Sequence, residues 1–337
     1  MRHTISAVLA SCAVLGLAAF ITLAPVWRGF DAWRQIWPLV MVFAAGVTIA
    51  SLRNRHRFVP ALLALGCLAI ALPAAPEWMR RLSTSTSASA SAAPAMLDER
   101  QELTVMTQNL WGLSRNPVGV PDRVADMAPD ILALQEATRH AKPVIDTLEA
   151  RFAHIARCRS TRVLSRLPIL DSGCVRHPPE ISFVNAVPCD WELPPAVWAR
   201  IALPDGREAV IVAVHLTWPF PSAAQDCQRR NLARALAREP QDTLIVMGDF
   251  NAAAPSRALA RIEHDLDLER RSIALPTWPS EGLFSADPSA GFLIPPMLVG
   301  IDHIFAGEAW ETVWIEAGPN TGSDHRPLVA RLRLTGG

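Results

Sequence analysis

The sequence predicts an α/β sandwich of mixed β-sheets, preceded by three transmembrane helices. Half of the 337 residues are hydrophobic and 19% are charged, which is enough apolar surface to bury a core. Short apolar runs typical of strands alternate with helical segments between residues 103 and 334, and two of these runs flank a hairpin turn. Longer uncharged runs occupy the first 75 residues, and the mean hydropathy of the whole chain is +0.19.

The membrane prediction rests on three uncharged runs. Ile5–Val26 has 22 residues, Ile36–Leu52 has 17 and Phe58–Ala75 has 18, and none of them has a polar face. A cleaved signal peptide is the alternative for the first run, which follows a basic N-terminus. Buried core helices are the alternative for the other two, because both are near the lower length limit for a span.

The orientation in the membrane follows from arginine positions. Arg53, Arg55 and Arg57 crowd the short link between the second and third runs, which predicts a cytoplasmic link and an exported C-terminal domain. In this orientation four arginines near the spans lie on the cytoplasmic side and four on the outer side. The high density of arginines in the link between the second and third runs therefore decides the prediction.

Composition divides the chain into three parts. Residues 1–82 form the predicted anchor, 83–96 a Ser/Ala-rich linker, and 97–337 a globular domain. Residues 1–96 carry a net charge of +6 and residues 97–337 a net charge of −6. A domain at −6 lacks the general basic surface of a strong nucleic-acid binder.

The domain contains four cysteines without zinc-binding spacing. In an exported domain they would form two disulfides, for which three pairings are possible. We expect Cys158–Cys174, which flank a strand pair, and Cys189–Cys227. Buried free thiols are the alternative.

The elements of the domain alternate along the chain. Apolar runs of strand length lie at Leu103–Gln108, Asp130–Gln135, Ile201–Leu203, Ala209–Val214, Asp242–Gly248, Ile301–Phe305 and Leu328–Leu334. The turn Pro204-Asp205-Gly206 predicts a hairpin between the third and fourth of these. Helical character is found at Pro121–Met127 and Pro221–Arg238. Hairpins mixed with helical crossovers favour mixed sheets over a purely parallel sheet.

Polar residues stand at the ends of these apolar runs. They are Asn109, Glu136, His215, Asp249, Asn251 and Asp302. A single residue of this kind is usually a turn former or a cap. Several at strand ends predict a site on one rim of a sheet.

Six ordered segments carry a family resemblance: Thr107-Gln108-Asn109-Leu110-Trp111, Leu134-Gln135-Glu136, Ala213-Val214-His215-Leu216, Gly248-Asp249-Phe250-Asn251, Ile301-Asp302-His303 and Gly322-Ser323-Asp324-His325-Arg326-Pro327. Together they resemble the endonuclease/exonuclease/phosphatase superfamily, which includes deoxyribonuclease I and neutral sphingomyelinases. The resemblance implies a four-layer sandwich of two mixed sheets flanked by helices, and metal-assisted phosphoester hydrolysis. The superfamily also includes bacterial members with several N-terminal membrane spans. We therefore expect a bacterial cell-membrane protein whose domain lies on the periplasmic or extracellular side.

Oxygen ligands suit a hard cation such as Mg²⁺, with Mn²⁺ or another divalent cation as alternatives. Glu136 is the predicted principal ligand of the cation, and Asn109 is a predicted ligand beside it. Asp324 is predicted to bind the cation directly or through a water molecule. His325 is the predicted base that activates water, and Asp302 is the carboxylate that orients it. Their structural alternatives are a helix N-terminal carboxylate for Glu136, a turn histidine for His325 and an exposed strand carboxylate for Asp302.

Strand alternation places Asp249 and Asn251, and the resemblance assigns His215. Asp249 and Asn251 share one face while Phe250 enters the core, so Asp249 is placed to position the nucleophile or a second cation and Asn251 to donate to a phosphoryl oxygen. A lone histidine after a buried strand is usually structural, but the resemblance implies that His215 stabilises the pentacovalent state or protonates the leaving oxygen. His303 should point to the opposite face and is not assigned to the site.

Three functions are compatible with the sequence. The first is a membrane-anchored phosphodiesterase or phosphatase that acts on a lipid headgroup or a small phosphoester. The second is an exported nuclease, which would need a basic groove such as Arg229, Arg230, Arg234 and Arg238. The third is a binding module without activity.

Leu110 and Trp111 stand where many DNA-repair members carry a carboxylate, which disfavours repair-type cleavage. Arg162 and Arg166 are candidate phosphate contacts, and Trp278, Phe284 and Phe292 lie in a predicted rim loop, Thr277–Val299.

Overall fold

The computed structural model describes residues 31–51, 58–90, 102–111, 117–178, 188–220, 222–281 and 297–335, with scattered residues between 8 and 23. The α-helices are α1 (Asp31–Gln35), α2 (Trp37–Ser51), α3 (Phe58–Ala71), α4 (Ala75–Ala90), α5 (Val120–Met127), α6 (Lys142–Glu149), α7 (Ser222–Leu236) and α8 (Arg257–Leu266). Short 3-10 helices lie at Leu72–Ala74, Arg139–Ala141, Pro188–Trp191 and Gln241–Thr243.

The strands form two six-stranded mixed sheets, in the orders β11-β12-β1-β2-β4-β3 and β5-β6-β7-β8-β10-β9. They are β1 (Glu102–Asn109), β2 (Ile131–Gln135), β3 (His154–Cys158), β4 (Thr161–Ser165), β5 (Ile169–Cys174), β6 (Ala196–Ala202), β7 (Glu208–His215), β8 (Leu244–Asp249), β9 (Glu269–Arg270), β10 (Asp302–Ala306), β11 (Trp310–Ala317) and β12 (Leu328–Leu334). In each sheet a parallel pair, β1–β2 or β7–β8, is flanked by antiparallel strands.

The two sheets pack face to face, with helices on their outer faces. The central core joins residues of both sheets, such as Val105 and Ile211. Alternate residues of the same strands face outwards, because successive strand side chains point to opposite faces. Met106 packs under α5 and α6, and Val246 packs under α7 and α8. The architecture is therefore the four-layer sandwich of two mixed sheets that the resemblance implies.

The strands and helices predicted for the domain are present, but the two strands between Cys158 and Cys174, β4 and β5, belong to different sheets and do not form the expected pair. The Pro204-Asp205-Gly206 turn joins β6 and β7, and β12 has the predicted limits Leu328–Leu334. β2 and β8 are buried along their whole length, as runs without polar alternation predict. α6, α8, β9 and β11 were not predicted, because they carry several charged residues each or are very short.

The N-terminal helices differ from the predicted spans. Within the part of the chain that the structure describes, no helix combines the length and apolarity needed to cross a membrane. α2 has 15 residues and α3 has 14, so each is about 22 Å long against a hydrocarbon core of about 30 Å. The predicted spans Ile36–Leu52 and Phe58–Ala75 are therefore not supported. Most of Ile5–Val26 lies outside the described residues.

The predicted linker is partly helical. α4 continues through Ser83 to Ala90, and residues 91–96 lie outside the described residues. The boundaries 1–82, 83–96 and 97–337 therefore stay predictions.

Both expected disulfides are present. Cys158 at the end of β3 is bonded to Cys174 at the end of β5, which ties the edges of the two sheets together. Cys189 is bonded to Cys227 of α7. The prediction of the pairing is confirmed, and the alternative of free thiols at these four positions is wrong.

Candidate active site

The predicted site residues lie at the ends of four central strands. Asn109 ends β1, Glu136 follows β2, His215 ends β7 and Asp249 ends β8. Asp302 begins β10, which is antiparallel to β8, and pairs directly with Asp249. The residues therefore meet at one end of the sandwich, where the gap between the two sheets opens.

Strand alternation explains why these side chains point into the gap. In β8, Ile245 and Met247 face the other sheet, so Asp249 at the next alternate position does the same. Phe250 is fully buried in the outer cluster under α7 and α8, as predicted. The same alternation turns His303 of β10 outwards, where it contacts Ser272 Oγ (2.8 Å) and the carbonyl oxygen of Ala252 (2.8 Å).

The carboxylate of Asp249 lies at the centre of the site and is 1% exposed. Its Oδ2 accepts a hydrogen bond from Asn109 Nδ2 (2.9 Å) and lies 3.5 Å from His215 Nε2 and 3.8 Å from His325 Nε2. Its Oδ1 accepts a hydrogen bond from the backbone N–H of Asn251 (2.8 Å). One carboxylate therefore connects side chains that come from both sheets.

His325 is held from behind by Asp302. Its Nδ1 lies 2.8 Å from Asp302 Oδ2, which leaves Nε2 facing the gap. The same Oδ2 accepts a hydrogen bond from Thr277 Oγ1 (2.6 Å). Both partners are buried, His325 at 5% and Asp302 at 1% exposure, so this hydrogen bond is shielded from water. A buried carboxylate behind a histidine fixes the tautomer and orientation of the ring.

Burial and neighbouring charges shift the pKa values of His325, Asp249 and His303. Burial lowers the pKa of His325, but the carboxylates of Asp302 and Asp249 outweigh burial and raise it to about 10. Burial raises the pKa of Asp249 to about 6 against the charge of His325, which lowers it. His303 is buried without such carboxylate contacts, and burial lowers its pKa to about 4.

The loop that precedes β12 is fixed to the end of β1. Ser323 Oγ donates to the carbonyl oxygen of Asn109 (2.7 Å), and Gln108 Nε2 donates to the carbonyl oxygen of His325 (3.1 Å). Trp278 Nε1 donates to Asp324 Oδ2 (3.2 Å). These contacts place the Ser-Asp-His segment against the strand that carries Asn109.

The acidic side of the site fits a divalent cation. Asn109 Nδ2 donates to Glu136 Oε1 (3.1 Å), and Glu136 Oε1 lies 3.8 Å from His215 Nε2. Asp324 Oδ1 and Asp302 Oδ1 are buried and accept no hydrogen bond from the residues that the structure describes. Ligand atoms of Glu136, His215 and Asp249 lie within 4.8 Å of one another, as do those of Asp249, Asp302 and His325. Buried carboxylate oxygens without donors are the ligands that Mg²⁺ or Mn²⁺ prefers.

Two site residues adopt an uncommon backbone conformation. Glu136 has a φ of 51° and Asn251 has a φ of 48°. The left-handed region is uncommon for residues other than glycine, although asparagine is enriched there. The turn at Asn251 aims its Nδ2 at the carbonyl oxygen of Leu216 (2.9 Å) and places it 3.5 Å from His215 Nε2.

Thr277 and Gln108 contact site residues and were not assigned roles from the sequence, and Trp278, a candidate contact for an acyl or headgroup surface, instead donates to Asp324. Thr277 and Trp278 belong to the predicted rim loop, but nothing in an irregular Pro-rich segment indicates what a side chain contacts. Trp278 faces the site, whereas Phe284 and Phe292 lie outside the described residues.

The proposed phosphate contacts on β4 and its flank have other partners. Arg162 Nη1 donates to the carbonyl oxygen of Arg159 (2.7 Å), and Arg162 Nε lies 3.6 Å from Glu149. Arg166 donates to the carbonyl oxygen of Pro129 (2.9 Å). These contacts favour structural roles.

Comparison with known proteins identifies the family. The profile of the Endonuclease/Exonuclease/phosphatase family matches residues 106–325, which include all the predicted site residues. Two UPF0294 proteins of Vibrio cholerae serotype O1 are 32% identical over 144 residues, and the match covers 41% of this chain and 45% of theirs. The match therefore spans less than half the length of these relatives.

Solved structures share the fold at low sequence identity. An endonuclease/exonuclease/phosphatase from Beutenbergia cavernae is 18% identical with a TM-score of 0.50, covering 70% of this chain and 72% of that one. TDP2 of D. rerio, complexed with a single-strand DNA product, is 16% identical with a TM-score of 0.52 (69% and 99% covered). Sphingomyelinase C from Streptomyces griseocarneus is 17% identical with a TM-score of 0.50 (68% and 99% covered). The chain belongs to the endonuclease/exonuclease/phosphatase family.

Proposed function

We propose that this chain is a divalent-metal-dependent phosphodiester hydrolase that acts on a lipid headgroup or another small phosphoester. The observation that carries the proposal is the buried His325–Asp302 pair, whose free imidazole nitrogen faces the carboxylate of Asp249 across the gap. A histidine oriented in this way is suited to move a proton at a bound phosphate.

Glu136, Asn109 and Asp324 are the proposed cation ligands, and Mg²⁺ is the proposed ion. When bound, the cation would offset negative charge on the phosphoryl oxygens. Asn109 coordinates through Oδ1 only if the amide turns, because Nδ2 now donates to Glu136 and Asp249 while Oδ1 accepts from the backbone of Trp111. Glu136 and Asp324 offer their carboxylates without such rearrangement.

His325 is the proposed base. Asp302 holds Nδ1, so Nε2 is the atom that takes the proton of the attacking water. Asp249 lies near Nε2 and positions that water by accepting a hydrogen bond. Because only the neutral imidazole accepts a proton, the raised pKa of His325 predicts a rate that increases with pH.

His215 and Asn251 serve the other side of the phosphate. They lie 3.5 Å apart, and both have nitrogen atoms within 3.5 Å of Asp249 Oδ2. We assign Asn251 Nδ2 as a donor to a phosphoryl oxygen and His215 as the group that stabilises the pentacovalent state or protonates the leaving oxygen.

The surface around the site favours a small or lipid phosphodiester over a polyanion. Trp111, Trp218 and Phe220 are 38%, 63% and 52% exposed, and all lie within five positions of Asn109 or His215. Exposed aromatic side chains of this kind suit a lipid–water interface. The charge of −6 on residues 97–337 disfavours a polyanion.

The basic groove proposed for a nuclease is reduced in the structure. Arg229 is 6% exposed and forms ion pairs with Asp226 and Asp265, so it has no surface for a phosphate backbone. Arg230, Arg234 and Arg238 are exposed, the first two on one face of α7 as helical spacing predicts, but three arginines make a weak site for a polyanion. Cleavage of nucleic acid is therefore an outcome of the test below.

We further propose that the domain works outside the cytoplasm. The support is the pair of disulfides, Cys158–Cys174 and Cys189–Cys227, since disulfides persist in oxidising compartments. Thiol labelling of the chain in intact cells, with and without reductant, tests this. Labelling of all four cysteines without reductant would contradict it.

The test of function uses the full chain with bis-p-nitrophenyl phosphate, phospholipid vesicles and plasmid DNA, each with Mg²⁺ or a chelator. We expect turnover that requires the cation, and a fall in kcat of at least about 100-fold in His325→Ala. His264→Ala is the matched control, because His264 is on α8 with its side chain 87% exposed. Full activity in the presence of a chelator, or in His325→Ala, would refute the proposal, and preference for DNA would favour the nuclease.

A further inference from the structure

The N-terminal helices contact the catalytic domain through buried polar side chains. Glu77 of α4 forms a two-pronged ion pair with Arg270 of β9, with Oε1 at 2.8 Å from Nη1 and Oε2 at 2.6 Å from Nη2. The Arg270 and Glu77 side chains are only 2% and 12% exposed. Glu77 Oε1 also accepts a hydrogen bond from the backbone N–H of Ala274 (2.8 Å).

A second group of contacts comes from α1. Asp31 accepts hydrogen bonds from the backbone N–H groups of Arg257 and Ala258, both at 2.8 Å. These are the first residues of α8, whose N–H groups have no partner within the helix. Gln35 Oε1 accepts a hydrogen bond from the backbone N–H of Ala253 (3.1 Å). α1 therefore caps a helix of the domain and holds the segment before it.

The composition of the N-terminal segment fits this arrangement. Asp31 and Glu77 are the only acidic residues among the first 96. Both acids bind groups of the domain, Asp31 at the start of α8 and Glu77 at Arg270. An anchor that did not pack on the domain would not need acidic residues at these two positions. The domain supplies one other carboxylate to Arg270, that of Glu263, so without Glu77 the buried guanidinium would lose its two-pronged partner.

The contacted segments are those that carry the site. Ala253 lies two residues after Asn251, and the carbonyl oxygen of Ala252 contacts His303, the neighbour of Asp302. Arg270 and Ala274 belong to the segment that continues to Thr277. Thr277 Oγ1 donates to Asp302 Oδ2, and the Asp302 carboxylate in turn orients His325.

We propose that α1 and α4 are structural parts of the catalytic unit, in which Gln35 and Glu77 act as positioning residues for Asn251 and for the Thr277–Asp302 pair. Gln35 holds the backbone after Asn251, and Glu77 holds the backbone that leads to Thr277. Neither touches the reacting atoms. The activity readout of this proposal rests on the proposed function, and the exchange readout below does not.

The test compares three variants of the full chain. Glu77→Gln keeps the shape and removes the charge, Gln35→Met removes the acceptor, and Glu77→Asp retains the charge. Met79→Gln is the matched control, because Met79 lies on the same helix, is 67% exposed and contributes no charge to the ion pairs of Arg270.

Two quantities are measured for each variant. The first is kcat and KM on bis-p-nitrophenyl phosphate, per folded enzyme. The second is amide hydrogen exchange in peptides that span 251–258 and 270–277. We expect Glu77→Gln to lower kcat at least about fivefold with KM within about twofold, and to expose 270–277 to exchange. Gln35→Met should lower kcat similarly and expose 251–258 to exchange, Glu77→Asp should give intermediate values, and Met79→Gln should match the wild type.

The outcomes separate positioning from stability alone. Normal exchange in both segments of Glu77→Gln and Gln35→Met would overturn the proposal, as would wild-type kcat per folded enzyme with only the melting temperature lowered. If the wild type hydrolyses no phosphoester, the proposed function fails, while the exchange data still decide whether the helices hold these segments.

Discussion

Replacement of Asp302 by asparagine removes one charge at constant shape from the pair that orients His325. Asp302 Oδ2 accepts hydrogen bonds from His325 Nδ1 (2.8 Å) and Thr277 Oγ1 (2.6 Å). Because both contacts use Oδ2, the amide nitrogen must occupy that position to face Nδ1, and it then donates to Nδ1 and to Thr277 Oγ1, whose hydroxyl turns to accept. The imidazole then carries its proton on Nε2, the atom that must accept one from water.

The expected magnitude has two parts. A hydrogen bond to a charged group contributes about 1.5–3 kcal/mol, which corresponds to roughly 10- to 150-fold in rate. The wrong tautomer adds a further loss, so we expect kcat to fall about 10³- to 10⁴-fold while KM changes little. Loss of the Asp302 charge also lowers the pKa of His325, so the rising limb of the pH profile should move down by about 1–3 units.

The assay is bis-p-nitrophenyl phosphate hydrolysis with Mg²⁺ between pH 5 and about 10.5, the range set by the pKa of about 10. Thr277→Val is the companion variant, since it removes the Oγ1 donor and leaves the carboxylate in place. We expect it to cost about tenfold. A loss below about tenfold in Asp302→Asn, or a profile that falls with rising pH in the wild type, would refute the assignment of His325 as the base.

Three further predictions follow from the structure. Glu136→Gln should raise the Mg²⁺ concentration for half-maximal activity at least about tenfold with the fold intact; an unchanged requirement would remove Glu136 from the cation site. Gly248→Ala should destabilise by about 3 kcal/mol or more by urea unfolding, because its φ is +150° and a Cβ would lie 2.0 Å from the carbonyl oxygen of Val214. His303 stays neutral, with a pKa of about 4 against 6.5 unfolded, so the unfolded state binds more protons below pH 6.5 and stability falls as pH drops. This loss of about 3 kcal/mol from pH 6.5 to about 4 should be absent from His303→Gln, and parallel curves for the two proteins would contradict it.

The sequence was sufficient to predict the positions of the site residues that lie at the ends of regular strands. Asn109, His215 and Asp249 each end an apolar run, so alternation alone predicts which face they share. The Ser-Asp-His segment was recognised only through its resemblance to a family, because a turn that precedes a strand has no periodicity to indicate its role.

Contacts between distant irregular segments were not predictable. Thr277 reaches Asp302 from a Pro-rich segment whose path is set by tertiary packing. Glu77 and Asp31 contributed only to the net charge of residues 1–96 in the sequence-based prediction, which assigned them no contacts. Their contacts with Arg270 and the start of α8 depend on how separate elements dock, which hydropathy cannot indicate. The same apolarity predicted membrane spans where the structure has helices of 15 and 14 residues.

The two halves of the proposed catalytic pair belong to different sheets. His325 precedes β12 of one sheet, and Asp302 begins β10 of the other. Neither half makes a competent base alone, so activity reports directly on whether the sheets are closed against each other. During refolding, turnover should therefore return later than the far-ultraviolet circular dichroism of the strands. A mild denaturant that separates the two sheets should abolish activity before either sheet unfolds. Catalysis would then report on the packing of the two sheets, the last step of folding.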